Sequence, residues 1–533
     1  MARPKPNPLV HASGGAQPAA AATPLLAAPG KPAAAPPSAA HPEAPAGVGD
    51  ASSSRSAVAC AACGGLSFAL LNLCSFFKGV DDSVLPAVFL EVGATLEVGP
   101  QALGTLTMVG AFTVGLANPP AGWLGTRYSR PHLIAIGCFV WSVGAVGMGA
   151  CTTYWMLVVA RGINGVGLGM IGPLMFGMVV DSWPAHQRGK ALGVLGITGS
   201  VGGLVGAWFA TTTGSLVVLG FAGWRFPLYT CAIVGVFVGL LVLFFVVDPA
   251  RSGAEGDKTA AEEPAGWATI LAVWAETKEC MRIPTFWVIV LQGVFGSTPW
   301  AAWGFSTLWL QLICFRSELA ANIRACFVSA PPTVGCGLAA AATLTADRCC
   351  NQTVGNIFGT LFGGWLGDAA AQYSPEHGRP WVAVVSVGIG VPMTYVLLFV
   401  MPQGATEEEA EALVLPWMAY FFAYGFAIVW VVGVNGPIFS EIVPARYRSY
   451  IFSLDAAFEL CVSSVGGPLS GYIAERAGFN DTRIEVCDRD NGEALATGMV
   501  WVMVIPWSVC TCCCEFRSPS SLRSRACLSP ANG

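Results

Sequence analysis

Charge is what this sequence has least of. Only 11% of its 533 residues are Asp, Glu, Lys or Arg, against roughly 25% in an ordinary soluble domain. So little charge does not coat a water-facing surface of ordinary size. Histidine is scarce too, at 5 residues, and no cluster of His, Cys, Asp and Glu has the spacing of a metal site. Neither a metal nor a cofactor is expected. There is no Gly-x4-Gly-Lys-Ser/Thr loop, which argues against ATP-driven transport. No nucleophile–base motif stands out, so an enzyme is not expected. Basic patches with interleaved aromatics are missing as well, which removes nucleic acid as a partner.

Apolar residues and glycine fill the space. Hydrophobic residues make up 54% of the chain, glycine contributes 64 residues and the mean hydropathy is +0.61. Gly is tolerated in membrane helices because it lets helices approach closely. Apolar runs of about 20 residues, each long enough for ~30 Å of hydrocarbon, recur from Ala57 onward. They predict spans near 58–89, 101–124, 132–151, 154–180, 190–213 and 225–247, then 285–314, 381–401, 414–439, 449–474 and 495–514. The eighth position falls on 353–367, a segment of marginal length that ends at Gly364-Trp365-Leu366-Gly367-Asp368. The 19 cysteines are scattered through these runs and read mostly as small packing residues. For Cys510 and Cys512–Cys514 at the end of the last span, palmitoylation and interface packing both stay open.

The remainder divides the chain. Residues 1–56 are Ala/Pro-rich and poor in large apolar side chains, so they are expected to be disordered; an organelle transit peptide is the alternative. A first bundle of six helices is expected over 57–248 and a second over 284–514. Between them 249–283 forms a polar linker, in which Trp267, Ile270, Leu271 and Trp274 recur at the spacing of an interfacial helix. Residues 324–352, with Pro331-Pro332 and four cysteines, read as an atypical insertion of retained-intron type, and 515–533 as a tail. Arg and Lys collect in the loops after even-numbered spans, whereas the loop after span nine carries Glu407, Glu408, Glu409 and Glu411. Even loops and both termini are therefore expected on the cytoplasmic side.

Two motifs occur twice, in the same order. Gly122-Trp123-Leu124-Gly125-Thr126-Arg127 returns as Gly364-Trp365-Leu366-Gly367-Asp368, and Asp181-x2-Pro184-x3-Arg188 returns as Glu441-x2-Pro444-x3-Arg448. Such repetition marks a duplicated membrane unit, the plan of many secondary transporters. The first loop, extended to Tyr128-Ser129-Arg130, resembles the Gly-x-Leu-x-Asp-Arg-x-x-Arg signature of the major facilitator superfamily. The Tyr-Ser-Arg ending, Lys78 to Pro86 in span one, Arg161-Gly162 with Gly165, Gly167 and Gly169, and Glu441-Ile442-Val443-Pro444 are most like the spinster-like branch. That resemblance implies an all-α membrane protein of twelve helices in two pseudo-symmetric halves, with spans one, four, seven and ten lining a central cavity. It implies alternating access and an amphipathic or organic-anion substrate such as a lysolipid. Thr126 departs from the signature's Asp, which the second copy keeps as Asp368.

Charges inside spans are costly and are functional candidates for that reason. Asp81 and Asp82, and Asp455 with Glu459 four residues on, are the candidates for proton coupling. Lys78 lies three residues from Asp81 on one helix face, a spacing at which the two could pair. Arg161 is either a substrate-anion contact or a structural tie. Asn164, Gln292, Trp300, Trp303 and Asn435 complete the cavity candidates, with helix breaks expected at Pro299 and around Gly436-Pro437. A second set sits at cytoplasmic helix ends: Gly122, Gly125, Arg127, Arg130, Asp181, Arg188, Asp368, Glu441 and Arg448. There a charge network would latch the halves, and Asp368 would face a positive helix end. The expected activity is proton-coupled movement of a small or lipid-like solute by a monomer in the bilayer of the plasma membrane or an endomembrane. A non-transporting sensor on the same fold is the alternative.

Overall fold

The computed structural model describes residues 50–183, 188–214, 216–218, 220–248, 284–315, 352–374, 377–431, 448–480 and 485–515, with Lys278, Met281 and Val434. The chain falls into two units, Met1–Arg55 and Ser56–Gly533; the architecture below belongs to the second. The N-terminal tail, the linker with its amphipathic helix, the 324–352 insertion and the C-terminal tail lie almost wholly outside the described residues.

Helices follow one another in the order that the hydropathy predicts. α1 (Asp50–Ala87) stops one residue after Pro86, and α2 (Phe89–Leu96) continues the first span until Glu97 turns left-handed at φ 53°. Pro100 then opens α3 (Pro100–Arg127), a position where a missing N–H costs nothing. α4 (Arg130–Ala150), α5 (Tyr154–Ser182) and α6 (Arg188–Gly214) follow. A two-residue hairpin pairs β1 (Val217–Val218) with β2 (Phe221–Ala222) before α7 (Arg225–Phe245).

The second half starts with α8 (Pro284–Trp303) and α9 (Ser306–Leu312). Pro299 lies inside α8, and the break falls at Gly304–Phe305 instead of at the proline. A proline removes one backbone bond but does not force the chain out of a helix whose neighbours hold it. α10 (Gln352–Tyr373) corrects the short eighth span. The helix does not end at Asp368 but runs on to Tyr373, and its 22 residues reach about 33 Å, enough to cross. α11 (Gly378–Tyr395) extends through a π-helical turn at Val396–Val400. Then come α12 (Glu407–Ala412), α13 (Val414–Ile428), α14 (Arg448–Ser463), α15 (Gly466–Arg476) and α16 (Arg489–Glu515). Among the described residues six helical stretches are both long and apolar enough to cross a membrane: those at Arg130–Ala150, Tyr154–Ser182, Ala191–Gly214, Arg225–Phe245, Gly378–Val400 and Arg489–Cys512.

Close packing replaces the hydrophobic effect between helices in lipid, so small residues set the contacts. In α10, Gly355, Gly359, Gly363 and Gly367 recur every four residues and form one bare stripe. Phe422, Phe426, Trp430 and Val434 press on it in the same order, so closely that a Cβ at any of the four glycines would overlap them. The three aromatics continue as a ladder along α13 and just beyond, with Phe426 between Phe422 and Trp430 at 6.5 and 5.9 Å. In the first half, Gly165 and Gly169 of α5 seat against α3 at Thr113 and Val114, while Gly167 seats against Trp141 of α4.

The two ends of the molecule are built differently. At the end that carries the Cys314–Cys487 disulfide, one apolar core runs through both halves. Val84, Val88 and Phe89 share it with Phe305, Leu308 and Trp309. At the opposite end, where Arg127 and Arg130 lie, the cores of the described residues are separate. One surrounds Cys138, Ile171 and Met178 in the first half, and the other joins Val382, Ala383 and Val434 in the second. The halves touch through α3, which lies along α14 and α15. The disulfide itself was hidden among cysteines expected to be packing residues.

Candidate functional site

The first half buries a polar network between α1 and α5. Asp81 is 1% exposed and Asn164 fully buried. Asn164 Nδ2 donates to Asp81 Oδ2 at 3.0 Å, and Arg161 Nη1 donates to Asn164 Oδ1 at 2.9 Å. Arg161 Nη1 also stands 3.7 Å from Asp81 Oδ2. Gly110 of α3 makes this possible: a Cβ there would come within 2.5 Å of Arg161 Nε. Attraction at this separation is on the order of 4 kcal/mol at the effective dielectric of protein sites, which offsets part of the desolvation of both groups. Asp81 Oδ1 and Arg161 Nε make no hydrogen bond within the usual distance, and the Trp141 indole stands near Asp81 as a donor.

The Lys78–Asp81 pair that the spacing allows does not form. Lys78 Nζ instead binds Asp82 Oδ2 at 2.7 Å, because the i,i+4 partner lies on its face while Asp81 turns toward α5. Lys78 and Asp82 keep 28% and 43% of their side-chain surface exposed. Beyond the break between α1 and α2, the Phe89 ring packs on Phe305 of the other half at 5.7 Å.

The second half supplies two carboxylates without counter-ions among the described residues. Asp455 is buried, and its Oδ1 has no hydrogen-bond partner. Glu459, one turn along α14, lies over Gly293 of α8, where only glycine leaves room for it. The aromatic candidates are placed differently from each other. Trp303 packs on Phe421 and Tyr424 at 5.7 and 5.4 Å and is buried. Trp300 is exposed on one side and meets Trp507 of α16 at 6.5 Å. The Gln292 carbonyl accepts from Cys510 Sγ at 3.6 Å, also on α16. Tyr424, which sequence reading passed over, is fully buried, with its hydroxyl 3.0 Å from Thr394 Oγ1. Only its place three residues after Phe421, about one helical turn on, hinted at it.

The repeated loops fold alike. Arg130 Nη1 binds Asp181 Oδ2 at 2.6 Å, and the Arg130 backbone N–H donates to Asp248 Oδ2 at 3.0 Å. Arg379 Nη2 binds Asp368 Oδ1 at 3.0 Å. Gly125 touches Leu174 and the Arg130 side chain; Gly367 touches Val434 and the Arg379 side chain. These contacts corroborate the duplication, and each joins residues of one half. Asp368 meets Arg379, the second residue of α11. Arg127 stacks over the ring of Trp123 at 4.9 Å, and Gly122 packs beside Ser453 of α14. Asn435 and Glu441 lie outside the described residues, as do the side chains of Arg188 and Arg448.

Comparison with known proteins follows this geometry. A family model described as the Major Facilitator Superfamily matches residues 71–352, more than half of the chain. An uncharacterised MFS-type transporter of Mycobacterium tuberculosis is 30% identical over 172 residues, 32% of this chain and 29% of its own length. Protein spinster homolog 1 of Mus musculus is 25% identical over 252 residues, 47% of this chain and 45% of its own. The sphingosine-1-phosphate transporter SPNS2 of Danio rerio is 22% identical over 338 residues, 62% of each chain. The chain thus spans about a third to three fifths of the relatives that it matches. A solved bacterial homolog of the human lysosomal transporter Spinster, inward-facing and unoccupied, superposes with a TM-score of 0.60 at 16% identity, over 85% of this chain and 96% of that one. The nucleoside transporter NupG gives a TM-score of 0.54 at 16% identity, over 83% and 99%. Duplicated halves, paired loop networks and the family match agree: this chain is an integral, multi-pass membrane protein of the major facilitator superfamily, most like its spinster-like branch.

Proposed function

We propose that the protein is a secondary transporter of a lipid-like, amphipathic solute, driven by protons and working by alternating access. The carrying observation is the asymmetry of the two ends: one shared core closes the halves at the disulfide end, while among the described residues each half keeps its own core at the basic end. Two halves that join at one end around a polar midsection are the form alternating access requires. The basic end faces the cytoplasm in this reading, since Lys and Arg mark that side, and the protein works as a monomer. The Lys78–Asp82 pair offers one positive and one negative group to the headgroup of a solute. That suits a substrate of the kind named for the sphingosine-1-phosphate transporter relative. Asp455 and Glu459 are the proton carriers, because neither is neutralised by a described cation and each is desolvated.

The sensor alternative is disfavoured by the family match and by relatives named as transporters. The deciding experiment is uptake of labelled sphingosine-1-phosphate and lysophospholipid into proteoliposomes with and without a pH gradient. Saturable uptake that rises with the gradient is expected. Binding without flux under both conditions would overturn the reading.

A further inference from the structure

We propose that Glu475 is a conformational latch that closes the disulfide end by capping the opposite half's α3. The carboxylate sits in the last turn of α15, and its Oε1 accepts the backbone N–H of Gln101 at 2.9 Å, across 374 residues of sequence. Gln101 is the second residue of α3, a 28-residue helix. Its first N–H groups have no intrahelical acceptor, and the positive end of the helix dipole favours an anion there. The bond therefore joins a charge of one half to a helix end of the other.

The surroundings make this a switch and not a loose contact. Gly471, one turn before Glu475, packs directly on Pro100 and Gln101, and Gly104 packs on Gly467, with no room for a Cβ at Gly471 or Gly104. The halves cross here backbone on backbone. α15 is also fixed to its own half, because the loop that follows it carries Cys487, which is bonded to Cys314 after α9 and donates its N–H to the Gln311 carbonyl at 3.1 Å. A movement of the second half must then carry Glu475 away from α3.

At the opposite end α3 carries no acid at the corresponding place. Gly122 packs beside Ser453, so residue 126, one turn further along α3, comes alongside the first turn of α14. That residue is Thr126, whereas the second copy of the repeat carries Asp368 at the equivalent place. One anion–helix contact at the disulfide end and none from residue 126 at the basic end tilt the equilibrium toward closure at the disulfide end.

This inference rests on the two-state reading above, but its readout is backbone exchange and not flux, so failure of the latch and failure of transport are told apart. Hydrogen–deuterium exchange is measured on the full chain in nanodiscs for the parent, Glu475→Gln, Glu475→Ala and Thr126→Asp. The expected result is faster exchange at 99–105 and 471–477, with slower exchange at 122–127 and 448–453, in all three variants. A charge at a helix N-terminus implies a population shift of about two- to fivefold. Exchange that is unchanged in Glu475→Ala overturns the proposal. So does faster exchange at 99–105 with no slowing at the basic end, which is local fraying. If the Glu475 variants do not fold, Thr126→Asp tests the same equilibrium from the other end, and an unchanged pattern there overturns the tilt.

Discussion

Asp81 on α1 and Arg161 on α5 stand 3.7 Å apart, and Asn164 hydrogen-bonds to both. Removing one member of such a buried pair leaves the other charge without compensation, a loss of about 3–5 kcal/mol. Asp81→Asn is therefore expected to lower the unfolding temperature measurably in detergent. The double variant Asp81→Leu/Arg161→Met, which removes both charges, is expected to recover most of that stability but not the transport. Equal destabilisation by the single and double variants would show that the pair does not act as a unit.

Among the described residues Asp455 and Glu459 have no such counter-ions, and the opposite outcome is expected. Asp455→Asn and Glu459→Gln remove a charge from a desolvated place, so they should unfold at the parent temperature or above it. The same variants should lose uptake driven by a pH gradient while exchange of solute for solute continues. Gradient-driven uptake at the parent rate in both variants would remove them from the coupling step.

Lys78 and Asp82 are partly exposed, and such a pair contributes under about 1 kcal/mol to folding. Lys78→Ala should leave thermal stability nearly unchanged. If Lys78 holds an anionic headgroup, loss of that charge-assisted contact, about 1.5–3 kcal/mol, should raise KM roughly ten- to hundredfold with kcat less affected. A KM within twofold of the parent, measured by initial-rate uptake, would place the headgroup elsewhere.

The glycine stripe of α10 gives a prediction about packing. Gly359→Ala adds a Cβ where the Phe426 carbonyl already sits, and overpacking of this kind costs about 1–3 kcal/mol. Gly364→Ala, off the stripe by one residue, should cost less. Thermal unfolding of the two variants checks the contrast.

Much of this was legible in the sequence. Apolar runs and two repeated loops carry the twelve-helix, two-half fold, because hydrocarbon thickness fixes helix length and duplication fixes order. The charged candidates were also visible, since a charge inside an apolar run is conspicuous. Their partners were not. Lys78 has acidic residues at both i+3 and i+4, and sequence alone did not say which one α5 would claim. Arg161 stands 80 positions from Asp81, and Glu475 stands 374 from Gln101. Such contacts depend on which helices become neighbours. The span-eight glycines were present but the segment seemed too short, because the apolar run stops at Asp368 while the backbone helix does not.

The Cys314–Cys487 bond has a consequence for the making of the protein. The two cysteines are 173 residues apart, and Cys487 immediately precedes α16. During synthesis Cys314 must wait, as a free thiol, until nearly all of the second half has been threaded into the bilayer. With the disulfide end on the non-cytoplasmic side, as proposed, the bond then forms only if the intervening crossings deliver Cys487 to the side that holds Cys314. It would then act as a check on assembly: a chain that mis-threads one helix in between presents its two thiols to opposite compartments and leaves them unpaired.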